Sequence, residues 1–403
     1  MPDGPSRTSY DVVIVGGAIM GSSSAWWLTN DKTFDGSILV VERDPTYEKC
    51  CTSLSHSCVR QQFSTELNVR ISQFTADFVH NLRRYMGGDE RVPELRIRDF
   101  GYMYLAGTEE GAETLRENYE TQRRANAKTK LLTPAEIAEE YPFYNVDDLV
   151  LGSINPVDEG YFDGYTIFDW FRRQARERGV EYIANEVVAM TKNAAGNRIE
   201  SVTLRSGETI ACGTVINASG TRAARTAKMA GIPLPVQPVK RLTWIFAAEK
   251  PLDRDLPLTI DPTGVTVREN GGGTYLSGGG HQMFDDTTDF DDFTGDWSLW
   301  ESYVWPIVAS RVPQFEAVKL THTYAAHYDM NVFDHNAIVG PHTTVRNFHF
   351  INGFSGHGLQ QSPAMGRGMA ELLIHGEYRT LDLTPFHYDR IELNQPIVEK
   401  GVI

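Results

Sequence analysis

Tyr10-Asp-Val-Val-Ile-Val-Gly16-Gly-Ala-Ile-Met-Gly21, with Ser22 to Thr29 behind it, is the stretch that decides the fold. A short apolar run, a glycine turn and a helix-compatible stretch in direct succession predict strand, turn and helix. In such a unit the backbone N–H groups at the helix start, here around Ala18, Ile19 and Met20, meet a pyrophosphate closely. Gly16 permits the tight turn, and Gly21 lets helix and strand pack together. The middle glycine of the usual pattern is replaced by Ala18, whose single methyl narrows the approach without closing it. A plain structural turn could carry the same glycines. What favours the dinucleotide is a second strand, Ser37 to Val41, ending in Glu42, about 20 residues on, where a carboxylate accepts both ribose hydroxyls. An acidic residue there selects a ribose without a 2′-phosphate, so NAD and FAD both remain open.

A second glycine loop separates the two. Phe348 to Asn352 reads as a strand, and Gly353-Phe-Ser-Gly-His-Gly358 follows it ahead of a helix expected over Pro363 to about His375. Ser362 is the expected cap, Pro363 the first helical position and Gly376 the left-handed stop. The positive end of a helix behind open backbone suits an acceptor that gains negative charge in the reaction. A flavin ring gains charge on reduction and a nicotinamide does not, so the pair of loops favours FAD.

Four segments carry a resemblance: Val12 to Gly21, Leu39-Val-Val-Glu42, Thr52-Ser-Leu-Ser55 with Arg60-Gln-Gln-Phe-Ser64, and Gly353 to Gln360. Together they resemble the FAD-dependent amine and amino-acid oxidoreductases of the D-amino-acid oxidase superfamily. The nearest branch holds monomeric sarcosine oxidase and the mitochondrial flavoprotein implicated in respiratory complex I assembly. The resemblance implies an α/β fold, a Rossmann-like FAD-binding domain interrupted by an α+β substrate domain on a mixed sheet. Segments 1–90, 155–225 and 330–395 are expected in the first, and 91–154 and 226–329 in the second. After Ser64, Leu67, Ile71, Phe74, Phe78 and Leu82 recur at helical spacing up to Gly87, which supports the first boundary.

Residue by residue, the resemblance assigns FAD contacts to Gly16, Ala18, Ile19, Met20, Gly21, Glu42, Arg43, Thr52, Ser53, Leu54 and Ser55. It adds Val187, Ala218 and Gly220 in the middle of the chain, and Gly353, Gly356, His357, Gly358, Leu359 and Gln360 near its end. Arg60, His281, Tyr328 and Gln360 are the catalytic candidates. Departures from the family are informative. Ala326 stands where sarcosine oxidases attach the flavin through cysteine, so no link is expected there; His56 is a polar lining residue rather than a second attachment point. Phe63 and Gln360 replace the two cations that hold the substrate carboxylate, and Ser277 replaces the lysine that helps flavin react with oxygen. Arg60, Lys240 and Arg241 could anchor a carboxylate instead, although long cationic side chains are ordinarily solvated.

The implied reaction is oxidation of a C–N bond in an amine or N-substituted amino acid, with hydride transfer to the flavin and hydrolysis of the imine. Oxygen or a carrier would take the electrons. The alternative is a flavin-containing assembly protein with little turnover.

Composition agrees with this class and excludes others. The 403 residues are 41% apolar and 23% charged, ordinary for a globular chain with room for two or three domains. A net charge of −15 argues against a nucleic-acid partner. No run is apolar enough for a membrane span, and no signal-peptide pattern opens the sequence, so the expected compartment is the cytoplasm. Four cysteines, with Cys50 and Cys51 adjacent, form neither a disulfide framework nor a zinc pair, and no histidine pattern predicts a metal. The acidic run Phe284 to Trp297 lacks the features of a calcium loop and reads as solvated. Gly-Phe-Ser355-Gly-His fails the spacing of a hydrolase nucleophile elbow.

Overall fold

The computed structural model describes residues 1–279 and 287–400. From the N-terminus come β1 (Ser9–Val15), α1 (Ile19–Asn30), β2 (Ile38–Glu42), β3 (Cys58–Val59), α2 (Glu66–His80) and the short α3 (Leu82–Tyr85). Next follow β4 (Tyr102–Ala106), α4 (Glu109–Arg124), β5 (Lys130–Leu132), α5 (Pro134–Glu140), β6 (Leu151–Asn155), β7 (Gly160–Tyr161), α6 (Gly164–Glu177) and β8 (Glu181–Ala184). The second half runs β9 (Val187–Lys192), β10 (Ile199–Leu204), β11 (Thr209–Asn217), α7 (Ala223–Met229), β12 (Val236–Ala248), β13 (Leu258–Ile260), β14 (Thr266–Gly271) and β15 (Thr274–Gly278). It continues through α8 (Trp305–Arg311), β16 (Val318–Asn331), β17 (Ile338–Pro341), β18 (Phe348–Asn352) and α9 (Gly358–His375).

Two mixed sheets organise these elements, the α/β architecture expected. The first has the order β17-β18-β11-β1-β2-β8, with β10 and β9 continuing from β11. Its centre is parallel: Ile14 lies opposite Ile216 on one side and Val40 on the other. Both faces of β1 are buried, Val12 and Ile14 under one core, Val13 and Val15 under the other. That is why the strand reads as a continuous apolar run rather than an alternating one. The first core is closed by α1, α6 and α9. Trp26 sits there fully buried, edge-on to Trp27 at 4.7 Å, with its indole N–H donating to Gln174 at 2.8 Å. The second sheet, β16-β12-β15-β14-β13-β4-β6-β5, is antiparallel except for the β13/β4 pair. Its core gathers Trp244, Phe246, Tyr275, Trp300 and Phe315.

Two helix expectations need correction. α9 begins at Gly358, so Pro363 lies inside the helix and Ser362 is not its cap. The helix tolerates a residue without an N–H because the Ser362 hydroxyl donates to the Leu359 carbonyl at 2.9 Å, the acceptor Pro363 leaves unserved. Gly376 does end the helix, at φ 74°. The helix after Ser64 does not run unbroken to Gly87. It breaks at Asn81, whose side-chain amide donates to the Asp77 carbonyl and carboxylate at 3.0 and 2.9 Å, and α3 restarts beyond it.

Candidate functional site

A cavity of about 740 Å³ lies between the two sheets, and both glycine loops open into it. At the first loop Gly16 has φ +100°, and a Cβ there would stand 2.4 Å from the Ala218 carbonyl oxygen. A Cβ on Gly21 would stand 1.9 Å from the Gly16 oxygen, so helix and turn are as close as backbone allows. The first helical bond of α1 is Ser22 N–H to Ala18 O at 2.9 Å, which leaves the preceding N–H groups without intrahelical acceptors. That of Ile19 is taken by the Thr52 hydroxyl at 3.3 Å. Ala18, Ile19 and Met20 line the cavity.

Glu42 ends β2 at 9% exposure on the same wall. Its two oxygens accept from Gly17 N–H at 2.8 Å and Asp44 N–H at 2.7 Å, and each retains lone-pair capacity for a hydroxyl. Burial pushes its carboxyl above the ordinary range, against the pull of these donors. A glycine cradle that one methyl carbon would fill, open N–H groups and a carboxylate at the strand end together fit a dinucleotide.

Arg43, Thr52, Leu54, Ser55, Val187, Ala218 and Gly220 also line the cavity. Gly21, Ser53 and Gly353, also expected at the cofactor, are not among its lining residues. At the second loop, the Gly353 and Phe354 N–H groups donate to Asp329 Oδ2 at 3.0 and 3.2 Å. Asp329, pushed up to about 6 by burial, thus fixes the loop from β16, a role the sequence reading missed. The available signal was that Asp329 is the one acidic residue of that strand. Gly356, His357, Gly358, Leu359 and Gln360 face the cavity. The first helical bond of α9 is Gln361 N–H to His357 O at 3.1 Å, so its open N-terminal turn points at the same space as that of α1.

Arg60, His357 and Gln360 come together here. The Arg60 guanidinium donates to His357 Nε2 at 2.9 Å, which makes that nitrogen the unprotonated one, and stacks 3.9 Å over the Phe63 ring. Its backbone N–H donates to the Gln360 amide oxygen at 3.0 Å. Arg60 is 1% exposed and Arg241 8%, which overturns the solvated reading of both; Lys240 is ion-paired with Asp292 at 2.5 Å. Buried Glu159 holds the loop from behind, accepting from Gln61 N–H at 2.5 Å, Gln62 N–H at 3.1 Å, Gln62 Nε2 at 3.0 Å and Asn155 at 3.1 Å. Burial raises its carboxyl to about 7.

On the second sheet's side, Tyr328 lies under the Arg241 guanidinium at 4.9 Å, and burial raises its phenol. A Cβ on Gly356 would stand 2.4 Å from the Tyr328 ring. His56 lines the cavity, hydrogen-bonded to Thr243 at 3.0 Å, and burial lowers it to about 3, so it stays neutral. Ala326 lines the cavity too, whereas Ser277 is buried with its hydroxyl donating to Thr266 O at 2.7 Å. His281 falls outside the described residues. The acidic run is not merely solvated: Asp291 pairs with Arg222 at 2.7 Å, and Phe290 and Phe293 line the cavity. Tyr47, Cys58, Tyr102, Thr243 and Thr266 are among the lining residues that sequence reasoning did not identify. Among the described residues no helix is long and apolar enough to cross a membrane.

Comparison with known proteins agrees with this arrangement. The family model described as FAD dependent oxidoreductase (DAO) matches residues 11–372. FAD-dependent oxidoreductase domain-containing protein 1 of Xenopus laevis is 36% identical over 98% of this chain and 85% of its own. Mouse mitochondrial sarcosine dehydrogenase is 22% identical over the whole chain, which spans 44% of that protein. The crystal structure of L-proline dehydrogenase from P. horikoshii superposes with TM-score 0.83 at 25% identity, over 98% of this chain and 100% of that one. The chain therefore belongs to the DAO family of FAD-dependent oxidoreductases.

Proposed function

We propose that the protein oxidises a C–N bond of a secondary or N-substituted amino acid, with FAD held in the cavity by the two glycine loops and Glu42. The observation that carries this is the Arg60 cluster, a buried guanidinium beside the open N-terminus of α9, in a cavity that neutral His56, Tyr102 and Thr243 also line. Such a wall takes a carboxylate by charge-assisted hydrogen bonds. The similarity to proteins named sarcosine dehydrogenase and L-proline dehydrogenase supports a secondary amine as the group beside it.

FAD, when bound, supplies the acceptor of two electrons. The chain's own residues bind and orient. Arg60 fixes the carboxylate, and Glu159 and Gln360 hold the Arg60 loop. Buried Arg60 and Arg241, both on the cavity wall, disfavour a further positive charge nearby, so they lower the pKa of the bound amine and favour its neutral, reactive form. With Ser277 where the family's oxygen-directed lysine would stand, a carrier is the favoured acceptor over oxygen. The division into 1–90, 155–225 and 330–395 against 91–154 and 226–329 belongs to the same proposal, supported by the membership of the two sheets.

The test is anaerobic bleaching of the flavin band by sarcosine, N-methyl amino acids, proline and other cyclic imino acids, polyamines and 2-hydroxy acids, followed by air. Bleaching by a secondary amino acid with slow recovery in air is expected. Bleaching by none of them, with FAD bound, would shift the reading to an assembly protein with little turnover.

A further inference from the structure

Residues Thr287 to Trp297 connect the second sheet to α8, and the path they take is not that of a free acidic loop. Thr287 bridges Val239, and Thr288 N–H donates to the Pro238 carbonyl at 3.0 Å, so the segment starts tied to β12. It then reaches across to the first sheet. Asp291 pairs with Arg222 at 2.7 Å and Arg43 at 3.8 Å, residues that follow β11 and β2 respectively. The Phe290 ring lies 5.0 Å from the guanidinium groups of both Arg222 and Arg225. Asp292 returns to Lys240 of β12 at 2.5 Å, and its carbonyl meets His327 Nε2 of β16 at 2.8 Å. Phe293 stacks on the His327 ring at 4.3 Å with Lys49 at 5.3 Å from its face. Phe290, Asp291 and Phe293 all line the cavity, as do Arg43, Lys49, Arg222 and Arg225.

One short segment thus joins the loop after β2, the turn after β11 and the β12/β16 pair along the dinucleotide end of the cavity. Asp289 and Asp296 behave differently: they accept from Asp291 N–H at 3.0 Å and Ser298 N–H at 3.1 Å, closing their own turns. We propose that residues 288–293 form a strap that retains FAD. Release of the dinucleotide requires the strap to lift, and lifting it breaks the Asp291 and Asp292 pairs and the Phe290 and Phe293 contacts in one event. Each exposed pair is weak alone, which is why the retaining effect resides in their being broken together. The proposal needs FAD in the cavity but not any particular substrate, so failure of the C–N oxidation reading leaves it standing.

The experiment measures the rate at which FAD-loaded protein releases FAD on dilution, by recovery of free FAD fluorescence, at low salt and in 1 M NaCl. The double variant Asp291→Asn/Asp292→Asn is expected to release FAD about tenfold faster at low salt, on the scale of a few coupled ion pairs. Wild type should accelerate in high salt and the variant should not. Phe293→Ala gives an independent arm, expected to release faster at both salt concentrations. Far-UV circular dichroism and re-titration with FAD establish that each variant is folded. Wild-type release rates in both variants would overturn the proposal. So would FAD that stays with wild type and variants alike after acid precipitation, because a covalent bond would then be what retains it.

Discussion

A single carbon decides whether the first loop can form, since the position of a Gly21 Cβ is already within 1.9 Å of the Gly16 oxygen. Gly21→Ala must push α1 off β1, at a cost of about 1–3 kcal/mol of stability and at least a tenfold loss of FAD affinity, read by urea unfolding and fluorescence titration. Wild-type affinity would mean that the close approach is dispensable. Glu159 makes a prediction of a different kind. In the folded protein it holds its proton to about 7, whereas the unfolded chain ionises near the ordinary 4.5. Between those values the native state binds the extra proton, so stability falls as pH rises. Glu159→Gln has no proton to lose, so the fall in stability between pH 5 and pH 8, about 2 kcal/mol for this group in wild type, should be missing from the variant, whatever the amide costs by not accepting from Gln62 Nε2. The same fall between the two pH values in variant and wild type would refute that. These residues also mark what a sequence discloses. Gly21 and Glu42 were legible because local spacing sets their roles. Glu159 and Asp329 were not, because they serve backbone N–H groups brought to them from distant segments. Arg60 defeated the rule that cations are solvated because the Phe63 face, the His357 ring and backbone oxygen receive it.

At the scale of the element, α9 carries the clearest lesson. Pro363 signals a helix start, yet the helix begins at Gly358 and simply does without one N–H. The Ser362 hydroxyl substitutes for it at the Leu359 carbonyl, and Ser362 is fully buried. Ser362→Ala should therefore cost about 1–2 kcal/mol, the penalty for a buried carbonyl without a donor. Restoring the backbone donor in Ser362→Ala/Pro363→Ala should recover about 1 kcal/mol of that loss, whereas Pro363→Ala alone should change little. Additive effects in the urea-unfolding cycle would show that the two donors are not interchangeable. The early start matters to the site, because a helix starting at Pro363 would leave Gly358 to Gln360 as loop. Starting at Gly358 instead aims the positive end of an 18-residue helix into the cavity. Strands were easier to read than this helix, because burial on both faces of β1 and β2 leaves the uninterrupted apolar runs Val12 to Val15 and Ile38 to Val41.

For the molecule as a whole, the cavity belongs to neither sheet alone. The first sheet supplies the two glycine loops and Glu42, and the second supplies Thr243, Thr266, Tyr328 and the strap. The glycine loops lie far apart in sequence yet were legible, because each is a local motif. The strap was not, since pairs such as Arg222 with Asp291 or Lys49 with Phe293 join residues with no periodic or motif relation. A ligand enclosed by both sheets must couple them. FAD at a hundred times its Kd should stabilise the protein by about 2.7 kcal/mol if only the folded state binds it. The distribution of that stabilisation is the sharper test. Hydrogen exchange should slow on FAD addition in residues 16–21 and 353–360 of the first sheet's loops, and equally in 288–293, which is anchored to the second. Amides of β5 and α5, remote from the loops, should change only as far as global stability does. Protection confined to the first sheet's loops would mean that FAD is held from one side, and that the second sheet closes on substrate rather than on cofactor.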